Sequence, residues 1–341
     1  MCSNVPSRFT VKPNTQQMKN TPIISKWTRR FAVAGITLAA LPVMAADSEN
    51  LANSDAIAAP TEAPTTVKTP PTSVSTGLAE QFNTGVANGG TMSITRFNAG
   101  VAVPVRLSDD LVLSTSFRFA LDSYDFRSLA GGWFGAWHNI DTYTLSSVLC
   151  GRIDDQWSVY GGGLVRESGE TGAEFKKGIT GGGIVGVNYK YSDTLSFGGG
   201  LGLMSQLEDH ASVLPLLTAN WKFADQWALK LGLTDVATIG YGLKVTYDLS
   251  KEWQLAVGFQ HDKSRFRIEG NGPTSSGIGQ NQSSTLYTEA TWHATEKLDI
   301  DGYLGLATGG NIRVENSTGS GVNSSDYNTA AVVGVKASLR F

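Results

Sequence analysis

The sequence has 341 residues, with 39 glycines and 27 basic against 30 acidic side chains. Residues 1–45 hold no acidic residue, so without them 21 basic side chains remain against 30 acidic ones. A chain this negative binds nucleic acid poorly, and we predict no nucleic-acid partner.

An export signal is predicted near the N-terminus, and it begins at Met18 rather than at Met1. Basic residues precede an apolar run from Phe31 to Leu41, and Val43-Met44-Ala45 provides a small-residue cleavage site. We therefore predict a signal peptide over residues 18–45 and interpret residues 1–17 as an over-extended start. The apolar run is too short for a transmembrane helix, which needs about 20 residues.

The segment 46–76 is rich in proline, threonine and alanine, with Pro60, Pro64, Pro70 and Pro71 among them. Such a composition cannot bury enough apolar area to fold. We predict a disordered periplasmic tether over residues 46–76, and a β-barrel over residues 77–341. Only Cys150 remains after the predicted leader, so no intrachain disulfide is expected.

From Met92 onward, alternating apolar and polar residues form a repeated hairpin pattern. Alternation with a period of two indicates strands that have one apolar face. Tight turns recur at 108–110, 154–156, 192–194, 224–226, 249–252 and 295–297. The alternate connections are predicted as longer loops at 123–139, 167–178, 206–211, 262–284 and 308–328, except for a short one at 235–238. Short turns at one end and longer loops at the other are typical of membrane β-barrels.

Tryptophan placement supports a membrane barrel over the alternative, a soluble β-sandwich. Five tryptophans lie directly beside predicted short turns: Trp157, Trp221, Trp227, Trp253 and Trp292. Amphipathic rings gather at a membrane interface, so we predict that these five form a periplasmic aromatic girdle.

The sequence ends on a strand with Ala331, Val333, Val335, Ala337 and Leu339 on one face, followed by Phe341. An exposed apolar edge strand favours aggregation, whereas a closed barrel has no edge. This ending resembles the C-terminal sorting signal of Gram-negative outer-membrane barrels. The resemblance implies that Gly334, Leu339 and Phe341 are an assembly signal read by the barrel-assembly machinery.

The number of strands follows from parity. Thirteen strands are predicted from Met92 to Phe341, and Leu78, Glu80, Phe82, Thr84 and Val86 suggest one weak strand before them. Single-chain bacterial barrels have even counts. We predict an all-β fold, a transmembrane antiparallel up-and-down barrel of 14 strands, with 12 as the alternative.

Positions that alternate with the lipid face are predicted to line a pore. The candidate pore-lining cations are Arg106, Arg118, Arg152, Arg166, Lys190, Lys222, Lys230 and Lys244. One interpretation is a field that favours anions. The other, which we favour for the ring beside the short turns, is local pairing with turn aspartates such as Asp109, Asp154, Asp193 and Asp225. A role in selecting anions remains an open alternative for Arg118, Arg166 and Lys230.

Glycine triplets fall on three consecutive predicted strands, at Gly161–Gly163, Gly181–Gly183 and Gly198–Gly200. One interpretation is a bare wall against which a ligand lies. The other, which we favour, is relief of crowding where the strands bend.

Catalysis is not predicted. Of four histidines, His138 and His210 are predicted in loops and His293 at the periplasmic end. His261, at the outer end of its strand, lies beside Asp262 and near Ser264, but neighbours in a strand point to opposite faces, so His261 and Asp262 do not make an obvious dyad. The sequence has no metal-ligand spacing, nucleotide-binding loop or CxxC pair, so we predict no cofactor and no metal.

Three motifs are similar to uncharacterised outer-membrane β-barrel families, over about residues 77–341. They are Val101-Ala102-Val103-Pro104 with the following turn, Trp157 to Gly163, and Val213-Leu214-Pro215 leading to Asp225-Gln226-Trp227. The resemblance implies the fold, the outer-membrane location and contact with outer-membrane lipid. The leading hypothesis for function is a passive or weakly anion-preferring diffusion channel for small polar solutes. The alternatives are a structural or surface-interaction barrel without an open pore and, more distantly, a hydrolase at the rim.

Overall fold

A computed structural model describes residues 69–129, 137–236, 238–269 and 274–341. These residues form fifteen strands and one short 3-10 helix, Phe175–Gly178. Within these ranges no helix is long and apolar enough to cross a membrane. The strands are β1 (Ser73–Gly85), β2 (Thr91–Ser108), β3 (Leu111–Arg127), β4 (Asn139–Arg152), β5 (Trp157–Glu170), β6 (Ile179–Ser192), β7 (Leu195–Gln206), β8 (Asp209–Ala224), β9 (Trp227–Val236), β10 (Thr238–Asp248), β11 (Trp253–Arg267), β12 (Ile278–Thr295), β13 (Leu298–Glu315), β14 (Gly321–Tyr327) and β15 (Ala330–Arg340).

The strands close into a barrel of fourteen positions. From β1 to β13 each strand pairs antiparallel with the next, and β13 pairs with β14 near one end and with β15 along the rest of its length. β14 and β15 therefore occupy one position, interrupted at residues 328–329. β15 then pairs with β1 from Arg340 and Ser73 to Val332 and Gln81, which closes the ring. The predicted count of 14 is confirmed and the alternative of 12 is wrong.

The first strand begins earlier than the predicted barrel boundary. Ser73 to Thr76, which we assigned to the tether, pair with β2 on one side and β15 on the other. Their polar composition resembles that of the preceding segment, but closure of the barrel gives their backbone groups partners on both sides. The predicted signal peptide and most of the predicted tether lie outside the described residues.

The connections at the two ends differ in length, as predicted, but the longer loops are shorter than expected. We call the two ends the turn end, which holds the connections after β2, β4 and β6, and the loop end. At the loop end β11 extends to Arg267 and β12 begins at Ile278, and the predicted loop 206–211 is a two-residue turn at 207–208. These strands lose their apolar alternation where they extend beyond the apolar band, so the sequence pattern misses their outer parts.

The outer face carries a continuous apolar band. Val257 of β11 is 55% exposed, whereas its neighbour Ala256, which faces the interior, is 7% exposed. The exposed set includes Val185, Val213, Leu217, Leu286, Leu304 and Val335. Monomeric soluble proteins rarely expose apolar patches larger than a few hundred Å², so this surface is that of a transmembrane barrel.

Aromatic side chains form a belt at the turn end. Trp253 and Trp292 are ladder partners with ring centroids 6.1 Å apart, and Trp157 stands beside Tyr189 at 4.7 Å. Trp227 contacts both Phe223 and Tyr247. The five tryptophans predicted for the girdle all lie on this exposed belt: Trp157, Trp221, Trp227, Trp253 and Trp292.

Inside the barrel, large side chains lie flat over glycines of the adjacent strand. A Cβ built on Gly186 or Gly200 would meet the Tyr160 hydroxyl at 2.2 or 2.6 Å, and one on Gly182 would meet the Met204 sulfur at 2.2 Å. Gly182 and Gly200 of the triplets, with Gly186, therefore make room for these side chains, which supports relief of crowding at these positions. Bending of the strands at the triplets stays a prediction.

Candidate functional site: the barrel lumen

The cations of the turn end are paired with aspartates of the adjacent turns. Arg106 contacts Asp109 at 2.9 Å, Arg152 contacts Asp110 at 2.7 Å and Lys190 contacts Asp193 at 2.6 Å. Arg152 also reaches Asp155, and both Arg340 and His293 contact Asp299. Local pairing is thus found for Arg106, Arg152 and Lys190, partly through aspartates other than those we named, but within the described residues not between Lys222 and Asp225. Each such exposed pair is worth only about 0–1 kcal/mol, but it reduces the local field.

Lys222 of this ring and Lys230, further along the barrel wall, behave differently. Among the described residues, neither Lys222 nor Lys230 takes part in an ion pair. Lys230 pairs in the ladder with Asn220 on one side and with Lys244 on the other, and only Lys244 has an acid, Glu289, at 2.8 Å. This sector of the wall therefore holds three lysines, of which only Lys244 contacts an acid within the described residues.

The middle of the lumen is crossed by the hairpin of β9 and β10, which we call the inner hairpin. Asp235, near its tip, contacts Arg118 of β3 at 3.3 Å and Lys336 of β15 at 3.1 Å. β3 lies six positions from β9 in a ring of fourteen, so these contacts span the interior. Arg118 is therefore not a cation exposed to an open pore, as we expected, but part of an ionic contact across the lumen.

The inner hairpin is fixed to the wall by a buried glutamine. The Gln260 Oε1 atom accepts hydrogen bonds from the Thr234 hydroxyl at 2.9 Å and the Val236 amide at 3.2 Å, while its Nε2 donates to the Thr238 carbonyl at 2.7 Å. Val236 packs in an apolar cluster with Tyr287 and Tyr303 of the wall. The tip is thus held by apolar, neutral polar and ionic contacts together.

A second ionic group lies on the lumen face toward the loop end. Arg96 of β2 stands 3.5 Å from Asp122 of β3 and also donates to Gln81. Arg166 of β5 acts on the same Asp122 and on Asp262 through its charge. The lumen cations near the middle of the barrel are therefore offset by acids, and the predicted basic excess is smaller than the sequence suggested.

The loop end of the interior is filled by an apolar cluster, which we call the loop-end cluster. It contains Val86, Met92, Ile94, Tyr124, Trp137, Ile140, Phe266, Ile268, Ile312, Val314 and Tyr327. Trp137 makes edge contacts with Phe266 and Tyr124, and none of its surface is exposed.

Two arginines of β11 tie the remaining loop-end elements together. Arg265 contacts Glu315 at 2.8 Å and donates to the Leu207 carbonyl, and Arg267 contacts Glu208 at 2.7 Å and donates to the Lys177 carbonyl. These contacts join β11 to β13, to the turn between β7 and β8, and to the 3-10 helix. The sequence prediction assigned both arginines to a loop and did not predict these contacts.

His261 and Asp262 lie on opposite faces of β11, as the alternation of the strand predicts. His261 points outward and lies 3.0 Å from the Ser284 hydroxyl, whereas Asp262 faces the interior near Arg96. Within the ranges that the structure describes, no three His, Cys, Asp or Glu residues are grouped as metal ligands would be.

The candidate assembly residues lie in the closing strand. A Cβ on Gly334 would stand 2.3 Å from ring atoms of Tyr303, and Leu339 is the ladder partner of both Val74 and Leu298. Phe341 follows the end of β15. Their role as an assembly signal stays a prediction.

The chain is similar in structure to several solved proteins. It matches an outer membrane channel from Pseudomonas putida F1 at 12% identity and a TM-score of 0.44, over 80% of this chain and 96% of the other. It matches a FadL homologue from Pseudomonas aeruginosa at 11% identity and a TM-score of 0.45, over 79% of this chain and 90% of the other. A NanC porin gives 10% identity and a TM-score of 0.35, over 78% and 100%.

A search of curated proteins found no match. A family model described as "Domain of unknown function (DUF6268)" matches residues 153–341, more than half of the chain. This stretch contains β5 to β15, with the inner hairpin, the glycine triplets and the closing strand. The chain belongs to the DUF6268 family.

Proposed function

We propose that the protein is a passive diffusion channel of the outer membrane for small polar solutes, with a weak preference for anions. In this proposal the turn end faces the periplasm and the apolar band contacts outer-membrane lipid. The observation that carries it is the polar lumen near the turn end, where neither Lys222 nor Lys230 is in ion-pair contact with an acid among the described residues. Charged rings at such a position bias permeation toward ions of opposite sign.

The same geometry supports a narrow route rather than a wide pore. The inner hairpin crosses the middle of the lumen, and the loop-end cluster fills much of its outer part. We therefore expect a conductance well below that of an unobstructed barrel of fourteen strands.

The test is the conductance and reversal potential of the refolded protein in a planar bilayer under a KCl gradient. We expect anions to permeate better than cations at low salt. The preference should fade as salt rises, because screening has a length of about 10 Å at 0.1 M. Lys222→Gln with Lys230→Gln should shift the reversal potential toward cations.

The matched control is Arg106→Gln, Arg152→Gln and Lys190→Gln, which should shift the reversal potential less because turn aspartates already offset these cations. Conductance without any charge preference would contradict the proposed anion preference and support a pore that does not select by charge.

The loop-end cluster favours a second candidate, a structural or surface-interaction barrel without an open pore. Absence of conductance from protein with a correctly folded barrel, shown by heat-modifiable gel mobility, would support that candidate instead. The separation of His261 and Asp262 onto opposite faces of the strand argues against a hydrolase at the rim.

A further inference from the structure

The barrel wall is interrupted beside β8. β8 extends from Asp209 to Ala224, but its ladder with β9 begins at the turn end and stops at Ala219 and Leu231. Beyond that point β9 turns inward at Gly232, which has a φ of +148°, a conformation that favours glycine. On the far side of the inner hairpin, the ladder between β10 and β11 stops at Tyr241 and His261. Residues 209–218, which we call the β8 edge, therefore have no ladder partner on this side within the described strands.

The presence of Pro215 within residues 209–218 agrees with an unpaired strand edge. The amide and carbonyl of Leu217 both contact the Tyr241 hydroxyl, at 2.6 and 2.8 Å, so backbone groups of odd-numbered residues point to the gap. Pro215 lies two residues away and directs its nitrogen to the same side. A proline lacks the N–H that a neighbouring strand would need, and prolines in sheets are confined to edges. Pro215 therefore makes the β8 edge a poor site for the pairing of another strand.

The edge lies within the apolar band. Val213 and Leu217 face outward and are 64% and 58% exposed. Leu214 has the inward parity of the buried Leu216, yet it is 45% exposed. No described β9 residue pairs beside Leu214, and its exposure agrees with the missing partner on this side of β8.

An apolar surface lies behind the gap. Leu216 belongs to a cluster with Val148, Tyr160, Leu164 and Ile184, which we call the wall cluster, and Tyr241 packs against it. The Tyr160 hydroxyl is buried within this cluster and has no hydrogen-bond partner among the described residues. Tyr241, which belongs to the inner hairpin, lies between the wall cluster and the β8 edge. Its side chain occupies the space between the hairpin and β8.

We propose that the space between the β8 edge and the inner hairpin is a lateral opening, gated by Tyr241, through which small uncharged apolar molecules pass between the outer leaflet and the wall cluster. The loop-end cluster obstructs the axial route, so the gap offers such molecules access that avoids both water and the ionic contacts at the loop end. This inference is independent of the proposed ion selectivity, because it concerns the wall and not the axial pore.

The first experiment measures access from lipid to the interior. Single cysteines are introduced in a Cys150→Ser background by Leu214→Cys, Ala256→Cys or Val257→Cys, labelled with bimane and reconstituted with phospholipids brominated on the acyl chains. Ala256 faces inward in a strand paired on both sides and is the matched control, while Val257 faces lipid. We expect quenching at Leu214 to approach that at Val257. Quenching at Leu214 as weak as that at Ala256 would overturn the opening.

The second experiment tests the gate and the solute class. Tyr241→Ala should increase quenching of a bimane at Leu216→Cys, and Tyr241→Phe, which keeps the ring but loses both contacts to Leu217, should increase it less. An apolar photoreactive probe, a trifluoromethyl iodophenyl diazirine dissolved in the vesicles, should label Leu164 and Ile184 in the protein with wild-type Tyr241. Labelling confined to outward residues, in protein whose gel mobility shows a folded barrel, would overturn passage of apolar molecules.

Discussion

Gly334→Ala is expected to destabilise the closing strand through a single added methyl group. A Cβ at this position would lie 2.3 Å from the Cζ and hydroxyl of Tyr303, and 2.8 Å from the Leu78 carbonyl. Contacts below 3.0 Å require movement, and here one obstacle is a ring that is itself 7% exposed while the other is backbone of β1. Overpacking of this kind costs about 1–3 kcal/mol.

The matched control is Gly302→Ala on the adjacent β13, where a Cβ would meet nothing within 4 Å. That substitution should be neutral or slightly stabilising, because replacement of a strand glycine by alanine gains up to about 0.5–1 kcal/mol. Urea unfolding in lipid vesicles, followed by heat-modifiable mobility, measures both. Adding Tyr303→Ala to Gly334→Ala should remove only the part of the effect due to the ring. Equal unfolding midpoints for Gly334→Ala and Gly302→Ala would refute the reasoning.

Four other predictions concern the lipid face, the lumen, the turn end and the last residue. Val257→Arg, on the lipid face, should cost up to about 2–4 kcal/mol, and Ala256→Arg, facing Glu289 in the lumen, much less; the reverse order would mean that the register of β11 is wrong. Asp235→Ala removes the acceptor shared by Arg118 and Lys336 and should cost about 3–5 kcal/mol, whereas a loss below that of a surface pair would contradict the buried contact. The hydrogen bond from Lys190 lowers the pKa of Asp193 below its usual value of about 3.9, so this carboxylate stays charged until the pH falls through that lowered pKa. The gain in anion preference that comes from neutralising Asp193 should therefore appear only at that low pH, and Lys190→Gln should move this gain to higher pH in the reversal-potential measurement. Deletion of Phe341 should reduce assembly far more than Phe341→Tyr, as scored by the folded fraction in the outer membrane, and equal assembly would count against the signal.

The strands and faces of the barrel could be predicted from the sequence because alternation is local. Val257 and Ala256, the five girdle tryptophans and the turn aspartates each follow from neighbours one to three positions away. The lipid supplies the apolar environment for one face, so the pattern needs no knowledge of the opposite wall.

The contents of the lumen could not be predicted in this way. Asp235 was assigned to a short turn, and nothing near it in sequence indicates that Arg118 and Lys336 are its partners, since they lie about a hundred residues away on either side. The clearest local signals were the short length of β9 and β10, which have 10 and 11 residues, and Pro215 on the strand beside them. Arg265 and Arg267 were likewise assigned to a loop, because a strand that protrudes from the membrane loses its apolar alternation.

The contacts of Asp235 also have a consequence for the order of the last folding steps. Lys336 lies on β15, the strand that meets β1 to close the ring, and Arg118 lies across the interior. Both ion pairs reach their observed geometry only when β3, β9 and β15 are in place, so we expect them to form together once the first and last strands have joined. Such non-local contacts form late, after the long loops of chain between them have been closed. The inner hairpin consequently completes its docking in a barrel that is already shut, and a probe at its tip would report closure rather than strand formation.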